Sequence, residues 1–365
     1  MAVQRALRIY AGPRARRHIE QHGLQPADIS VVPGAAGGPK GLVLGPLDRF
    51  IFGEWLPRSQ QPVHLVGASI GAWRMATACL DEVVPAFERL ERDYIAQDYE
   101  LEPGRKSPTA RHVSQRFSES VAAFYGGRVR QVLDHPRYRL HIITSRGRLL
   151  LGREHRLGTP LGYLGAYLSN GLHRRALCAW LERVVFSSGP DPEALSLPFD
   201  QQDFSTRQIH LSLDNFQAAL QASCSIPFLL QAVHDIPGAP RGAYWDGGIT
   251  DYHLHLNYAA THPKGLVLYP HFQKAVVPGW LDKAWRWRHG ATPFLENTVV
   301  LAPDLEWVRS LPNGKLPDRA DFVRYGPDLA SRTKVWQAAV SASAQLAQEF
   351  AQWLEQPDPA RVEAL

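Results

Sequence analysis

Apolar runs alternate with segments of helical periodicity over the first 80 residues of the chain. The runs 29–33 and 62–66 are short and apolar, which is typical of strands buried on both faces of a sheet. Between them, apolar residues recur at helical spacing from Leu42 to Ile51, and a second helical segment spans 72–80. This strand–helix–strand–helix order predicts a parallel sheet with crossover helices.

The rest of the chain continues this mixture of helices and strands. Helical periodicity and long apolar stretches predict helices over 84–100, 110–133, 161–185, 216–223 and 328–356. Strands are predicted over 208–213, 265–269 and 298–301, and as a pair over 138–151 that turns at Ser145-Arg146-Gly147, while 187–203 reads as a loop. The chain therefore belongs to the α/β class, and its 365 residues suit one large domain or two modest ones.

A serine flanked by glycines follows the second apolar run, in Gly67-Ala68-Ser69-Ile70-Gly71. This is the pattern of a nucleophile elbow, in which a strained turn between strand and helix exposes the hydroxyl. Side chains on the flanking positions would collide with neighbouring elements, which explains the two glycines. The helix that follows directs its N-terminus at the site, which favours developing negative charge. A plain tight turn is the alternative interpretation.

A glycine-rich segment precedes the first predicted helix, with the sequence Ala-Gly-Gly-Pro-Lys-Gly over 36–41. Consecutive glycines leave backbone N–H groups open to an anion. The segment is not a P-loop, because Lys40 is followed by Gly41 and the spacing of that motif is missing. An oxyanion hole is the other use of such a loop, and a flexible turn is the alternative without a chemical role.

An aspartate followed by two glycines stands much later in the chain, in Trp245-Asp246-Gly247-Gly248. Its small neighbours allow the carboxylate to be presented without obstruction. A β-turn would give the same residues, so this motif taken alone is not specific.

Together the three motifs resemble those of the patatin-like phospholipase family. That family has a glycine-rich oxyanion motif (Gly-Gly-Gly-x-Arg/Lys-Gly), a Gly-x-Ser-x-Gly elbow and a later Asp-Gly-Gly or Asp-Gly-Ala, and the order is the same here. The segment 222–227, Ala-Ser-Cys-Ser-Ile-Pro, is similar to the family's Ala-Ser-x-Ala-Ile-Pro. The resemblance covers residues 28–270. The departures from the family pattern are Ala36 in place of a glycine, Pro39 at the variable position, Lys40 in place of the usual arginine, and Asp251 and His253 where many members carry an asparagine.

The resemblance implies a three-layer α/β fold with a mostly parallel central sheet flanked by helices. It implies a single domain over 1–365, in which 271–365 completes or covers a core formed by 28–270. It also implies a catalytic dyad, in which Asp246 takes the proton of Ser69 as the hydroxyl attacks an ester carbonyl. We expect burial to raise the pKa of Asp246, because an unperturbed aspartate with a pKa of about 4 is a weak base at neutral pH.

The resemblance places the oxyanion hole at Gly37 and Gly38, with Lys40 as electrostatic support and the amide of Ile70 as a further donor. The predicted function is hydrolysis of acyl esters, of phospholipids or of other lipid or carboxylic esters. Acyl transfer to an acceptor other than water is one alternative, and a non-catalytic lipid-binding protein of the same fold is another.

A Ser-His-Asp triad is the mechanistic alternative to the dyad. The chain has 15 histidines, and His253, His255, His262 and His271 follow Asp246 in the order that α/β-hydrolases use. His253 and His255 could hold a metal ion only with further ligands, and the sequence offers none at suitable spacing. We therefore predict neither a metal nor another cofactor.

The composition, 45% hydrophobic and 21% charged, is that of an ordinary globular protein. A net charge of +5 favours anionic surfaces, although a solvated basic surface with no special partner would give the same value. The chain has no recognised nucleic-acid-binding motif, so nucleic acid is not a predicted partner. The three dispersed cysteines, Cys79, Cys178 and Cys224, and the lack of a secretory signal predict a cytoplasmic protein.

Tryptophans interleave with basic residues over 280–288, where Trp280, Trp285 and Trp287 alternate with Lys283, Arg286 and Arg288. Indole rings and cations are both favoured at a lipid interface, so the segment predicts peripheral contact with an anionic membrane. Ordinary packing of the tryptophans against the C-terminal helix is the alternative.

Overall fold

The computed structural model describes residues 4–99, 108–193 and 195–365. Eleven strands in these ranges form one sheet. The strands are β1 (Leu7–Ala11), β2 (Ile29–Gly34), β3 (Val63–Ala68), β4 (Tyr138–Gly147), β5 (Leu181–Ser187), β6 (Thr206–His210), β7 (Val233–His234), β8 (Ala243–Asp246), β9 (Leu266–Pro270), β10 (Thr298–Pro303) and β11 (Val362–Ala364).

Helices fill most of the connections between the strands. They are α1 (Pro13–His22), α2 (Gly45–Phe50), α3 (Ile70–Thr77), α4 (Val83–Ile95), α5 (Ala110–Tyr125), α6 (Val129–Leu133), α7 (Gly158–Leu172), α8 (Phe216–Ser223), α9 (Gly248–Asp251), α10 (Leu305–Ser310), α11 (Ala320–Tyr325) and α12 (Leu329–Glu355). Within the described ranges, no helix combines the length and the apolar character needed to cross a bilayer.

The strand order along the sheet is β11-β1-β10-β9-β2-β3-β4-β5-β6, and β8 pairs with β4 and with β7 off this path. The pairs β10–β9, β9–β2, β2–β3 and β3–β4 are parallel, as are β5–β6 and β1–β11. The pairs β1–β10, β4–β5, β4–β8 and β7–β8 are antiparallel. The prediction of an α/β fold with a mostly parallel central sheet flanked by helices is confirmed.

Both faces of the central strands are buried, which explains why they appear in the sequence as continuous apolar runs. Val32 and Leu65 belong to one large core cluster, together with residues of α2, α3, α4, α8 and α12. Their chain neighbours Val31 and Val66 belong to a second cluster on the opposite face, which includes residues of 252–258. Side chains alternate across a strand, so each strand needs apolar residues at every position.

The structure corrects two predictions in the middle of the chain. Residues 138–151 do not form a hairpin, because β4 continues through Ser145 and pairs with β5 on one side and β8 on the other. Residues 161–185 are not one helix, because α7 ends at Leu172 and the fully buried run from 181 onward is strand β5. A short apolar run fits a buried strand and a buried helix equally well, and here the β-branched residues Val184 and Val185 favour the strand.

Other boundaries differ in smaller ways. The predicted helix over 42–51 is a 3₁₀ segment, then α2, then a π-helical turn, and the prediction for 110–133 is divided into α5 and α6 by Gly126 and Gly127. Residue 100, the predicted end of the helix that begins near 84, lies outside the described residues. Strands β1, β7, β8 and β11 and helix α1 were not predicted.

The last hundred residues contribute to the sheet and to one of its flanking layers. Strand β10 lies between β1 and β9, and β11 pairs with β1. Helix α12 packs against α2, where Phe350 of α12 meets the rings of Phe50 and Trp55. That all of 1–365 forms a single domain remains a prediction.

Candidate active site

Ser69 lies on a sharp turn between β3 and α3. Its backbone has φ 56° and ψ −129°, a conformation that costs energy for a residue with a side chain. The flanking glycines make the turn possible: a Cβ on Gly67 would lie 2.4 Å from the Cα of Ala72, and a Cβ on Gly71 would lie 1.8 Å from the carbonyl oxygen of Gly34. The steric argument made from the sequence therefore holds at both glycines.

Asp246 is the last residue of β8, and its side chain meets Ser69. Strand β8 pairs with β4, with Thr144 opposite Asp246, and β4 lies beside β3, which ends one residue before Ser69. The Ser69 hydroxyl donates a hydrogen bond of 2.7 Å to Oδ2 of Asp246. The other carboxylate oxygen, Oδ1, accepts a hydrogen bond of 2.7 Å from the amide of Gly248. Two residues 177 positions apart in sequence thus form one buried pair, with Ser69 4% and Asp246 5% exposed.

The end of α8 and the turn after it connect the serine to the aspartate. Oγ of Ser223 accepts a hydrogen bond of 3.0 Å from the amide of Ser69 and donates one of 2.7 Å to the carbonyl of Ile143 in β4. The carbonyl of Ser225 accepts a hydrogen bond of 2.9 Å from the amide of Asp246. The segment 222–227, which the sequence singled out only by resemblance, therefore fixes both residues.

The glycine loop places unpaired amides beside this pair. Within the described ranges, the N–H groups of Gly37, Gly38 and Ile70 donate to no backbone or side-chain acceptor. A Cβ on Gly37 would lie 2.6 Å from the ring of Phe272, so only glycine fits there. Lys40 lines the adjacent cavity, with Nζ 5.3 Å from the centre of the same ring. The amide of Ser69 is not available to an anion, because Ser223 occupies it.

Burial raises the pKa of the Asp246 carboxyl above its usual value. Arg319, the Ser69 hydroxyl, the Gly248 amide and Lys283 oppose this shift, in that order of size, because each favours the ionised form. The rise agrees with the expectation from the sequence. A carboxyl whose pKa moves toward neutrality is a better proton acceptor for a serine hydroxyl.

A cavity of about 260 Å³ opens beside Asp246 and is lined by Asp246, Gly37, Lys40, Lys283 and Arg319, among other residues. Arg319 Nε lies 3.2 Å from the point where a Cβ on Gly38 would stand, which places the guanidinium at the glycine loop. Lys283 Nζ lies 3.9 Å from the centre of the Tyr252 ring. The pKa of Lys283 is lowered to about 8, mainly by desolvation of the ammonium group, although part of the side chain is exposed to solvent.

Arg319 was missed by the sequence reasoning. It lies 73 positions after Asp246, at the start of α11, in a stretch that carries no motif. Lys283 was noted only as part of the tryptophan-rich segment, and nothing in the pattern placed it at a cavity. Three cationic side chains, Lys40, Lys283 and Arg319, therefore line the cavity, whereas the sequence predicted only Lys40 at the site.

The histidines that follow Asp246 do not contact Ser69. His253 Nδ1 lies 3.1 Å from the carbonyl of Ala275, and His255 Nδ1 lies 2.7 Å from that of Val276. Burial lowers the pKa of both imidazoles. In the part of the chain that the structure describes, no histidine is hydrogen-bonded to Ser69 or Asp246, and no group of three or more His, Cys, Asp or Glu residues could hold a metal ion.

Asp251, a departure from the family pattern, has a structural partner. It forms a buried ion pair with Arg183 of β5, with Oδ1 2.6 Å and Oδ2 2.7 Å from the guanidinium nitrogens. Arg183 also binds Asp203, at 3.0 Å. The pair joins the helix after Asp246 to the sheet and so supports the loop that carries the carboxylate.

The tryptophan-rich segment 280–288 is partly packed and partly exposed. Trp285 stacks on Tyr167 of α7 with ring centres 5.4 Å apart, and Arg288 binds the buried Asp282 at 2.7 Å. Trp287 is 70% exposed and lies beside Trp285. Trp285 is therefore packed, but against α7 and not against the C-terminal helix as the packing interpretation had it, whereas Lys283, Arg286 and Trp287 are exposed.

Ser69 and Asp246 thus form a buried hydrogen-bonded pair close to the glycine loop. No protein-family model matches this chain, and no curated protein matches it significantly. Among solved structures, it is similar to human GIVD cytosolic phospholipase A2, with a TM-score of 0.36 and 11% sequence identity. That alignment covers 95% of this chain and 63% of the phospholipase chain, so this chain spans less than two thirds of that protein's length.

Proposed function

We propose that this protein hydrolyses acyl esters with Ser69 as nucleophile and Asp246 as its base. The observation that carries the proposal is the 2.7 Å hydrogen bond from the Ser69 hydroxyl to the buried Asp246 carboxylate, at a strained turn beside unpaired backbone amides. A strained serine with a base at hydrogen-bonding distance is the arrangement of an activated nucleophile.

The reaction proceeds in two half-reactions. As Ser69 Oγ attacks the ester carbonyl, Asp246 accepts its proton, and the amides of Gly37, Gly38 and Ile70 donate to the oxyanion that forms. Each such donor contributes about 3 kcal/mol to the stability of the transition state. Asp246 then returns the proton to the departing alkoxide, leaving an ester on Ser69. Asp246 then deprotonates a water molecule, which attacks that ester; as the bond to Ser69 Oγ breaks, Asp246 returns the proton to this oxygen and the acid is released.

The charge of the cavity favours an ester that carries an anionic group, such as a phospholipid. Lys40, Lys283 and Arg319 line the cavity together with two carboxylates, Asp246 and Asp318, of which Asp318 forms its ion pair with Lys315. A neutral ester would gain little from three cations, whereas a phosphate or carboxylate close to the ester would be attracted by all of them.

A fluorophosphonate probe and a panel of p-nitrophenyl esters and phospholipids test the proposal. We expect the wild type to be labelled and to turn over esters, Ser69→Ala to be inert, and Asp246→Asn to react at least a hundredfold more slowly. Ser343→Ala is the matched control, because Ser343 is buried in α12 and donates only to the carbonyl of Val340. A folded wild type that neither reacts with the probe nor hydrolyses any ester would refute the proposal and favour a non-catalytic lipid-binding protein.

Substrate charge is tested separately with pairs of esters that share an acyl chain and differ in an added phosphate. Arg319→Gln should raise KM for the phosphorylated ester and leave KM for the neutral ester unchanged. Arg324→Gln is the control, because Arg324 is exposed on α11 and does not line the cavity. Equal changes for both esters would contradict the charge argument while leaving the dyad intact.

A further inference from the structure

A row of leucines on α7 faces solvent. Of the 13 large hydrophobic residues that are exposed in the described ranges, seven lie between 149 and 172. Five of them form what we call the leucine stripe, with exposures from 54% to 89%: Leu157, Leu161, Leu164, Leu168 and Leu172. Soluble proteins seldom leave so many adjacent large apolar side chains uncovered, and larger apolar patches mark interaction surfaces.

Helix geometry explains why the stripe is continuous. At about 100° per residue, the five leucines fall within an arc of about 80° on one side of the helix. The side facing the protein carries Thr159, Tyr163, Ala166 and Asn170, all buried. A Cβ on Gly162 would lie 2.7 Å from the side chain of Leu151, so the inner side of α7 is packed closely. The leucines therefore cannot turn inward, and α7 is amphipathic without a charged residue on either side.

The apolar surface continues from the stripe toward the tryptophan-rich segment 280–288. Trp285 stacks on Tyr167 of α7, and beside it Trp287 is 70% exposed. On the inner side of α7, the buried ring of Tyr163 packs against that of Phe228, which is 58% exposed and follows Pro227 at the cavity wall. The stripe therefore extends toward Trp285 and Trp287, whereas α7 approaches the cavity wall through its inner side.

Basic residues flank the stripe at both of its ends. Arg153 and Arg156 precede α7 and Arg175 follows it, and all three are exposed. Arg286 is exposed beside Trp287. The only acidic residue between 149 and 180 is Glu154, whose carboxylate accepts a hydrogen bond from the amide of Ala232. An apolar face with cations at its edges matches an anionic lipid surface, with the leucines among the acyl chains and the arginines at the phosphates.

We propose that the leucine stripe docks this protein on the surface of an anionic lipid bilayer. A second copy of the chain is a poorer occupant. Packing two stripes together, in either relative direction, would bring the arginines of one copy against those of the other. The proposal goes beyond the ester hydrolysis described above and does not depend on it, because docking is a property of the surface and not of Ser69.

Vesicle sedimentation tests the proposal. One set of vesicles is phosphatidylcholine alone, and the other contains about 30% phosphatidylglycerol, which is enough anionic lipid for a negative surface potential. We expect Leu164→Gln/Leu168→Gln to weaken binding to the anionic vesicles at least tenfold, since glutamine keeps the helix propensity of leucine. Leu305→Gln is the matched control, because Leu305 is 71% exposed on α10 outside this surface. Arg153→Gln/Arg156→Gln should weaken binding to anionic vesicles and leave binding to neutral vesicles unchanged.

Three outcomes would overturn the proposal. They are a wild type that does not bind anionic vesicles, a Leu164→Gln/Leu168→Gln variant that binds them as well as the control does, and a dimer that this variant dissociates while vesicle binding is unaffected. The same measurements on Ser69→Ala keep docking separate from turnover, because that variant should bind vesicles like the wild type. Circular dichroism of each variant establishes that a loss of binding is not a loss of folding.

Discussion

Replacing Ser223 with alanine removes the hydroxyl that joins three parts of the active site. This hydroxyl accepts from the Ser69 amide at 3.0 Å and donates to the Ile143 carbonyl at 2.7 Å, and the side chain is fully buried. Alanine fills nearly the same space but leaves both backbone groups without a partner. An unsatisfied buried group costs about 1–3 kcal/mol, so we expect the free energy of unfolding to fall by about 2–6 kcal/mol.

Urea denaturation followed by tryptophan fluorescence measures this loss. Ser225→Ala is the control, because Ser225 lies two residues away and its hydroxyl donates only to the carbonyl of Gln221. The free energy of unfolding of Ser225→Ala should fall by about 1 kcal/mol or less. The strained turn at Ser69 would also relax in Ser223→Ala, and we expect fluorophosphonate labelling to slow about tenfold, which corresponds to about 1.4 kcal/mol. Equal stabilities and equal labelling rates for the two variants would refute the reasoning.

Three further predictions concern charge. Arg319→Gln removes the largest charge that opposes the raised pKa of Asp246; that pKa should rise further, so the acid limb of kcat/KM should move to higher pH. Asp251→Asn leaves Arg183 buried with one carboxylate fewer, and should lower the free energy of unfolding by about 3 kcal/mol in urea. Burial lowers the pKa of His64 to about 4, so between pH 6.5 and 4 the unfolded chain binds more protons than the folded chain. The free energy of unfolding should therefore decrease as the pH is lowered from 6.5 to 4.

Each of these has a control and a contrary result. Arg324→Gln should leave the pH profile unchanged, and an acid limb unmoved by Arg319→Gln would contradict the electrostatic account. Asp203→Asn should cost less than Asp251→Asn because Asp203 is partly exposed, and the reverse order would be contrary. Urea midpoints of His64→Phe should depend less on pH than those of the wild type, whereas a parallel curve would show that other groups account for the loss.

Local pattern predicted the elements that carry the site. Buried strands on both sides of a glycine loop, and a serine turn between glycines, are encoded within a few residues, and β2, β3 and α3 formed where the pattern placed them. The Asp-Gly-Gly motif identified Asp246 as a candidate, but its secondary structure was not predicted, because Asp246 ends a strand and does not lie in a loop. Strand β8 is four residues long and buried through pairing with β4, a partner about a hundred residues away.

Tertiary partners explain the parts that sequence could not predict. Ser145 and Arg146 suggest a turn because they are polar, yet in β4 the hydroxyl of Ser145 donates to the carbonyl of Asp246 and Arg146 binds Glu182. Polar residues can occupy a central strand when distant groups satisfy them. Arg319 reaches the glycine loop only through the folding of the C-terminal segment, and no local signal precedes it.

The contact between Gly34 and Gly71 has a consequence for how the site works. The strand end that leads into the glycine loop touches the turn that carries Ser69, with no space for even a methyl group at Gly71. The start of the glycine loop and the turn that carries Ser69 are therefore packed directly against each other before any ligand arrives. Such preorganisation removes the cost of assembling the donors during the reaction, so the proposed chemistry would need no closing movement between these two segments.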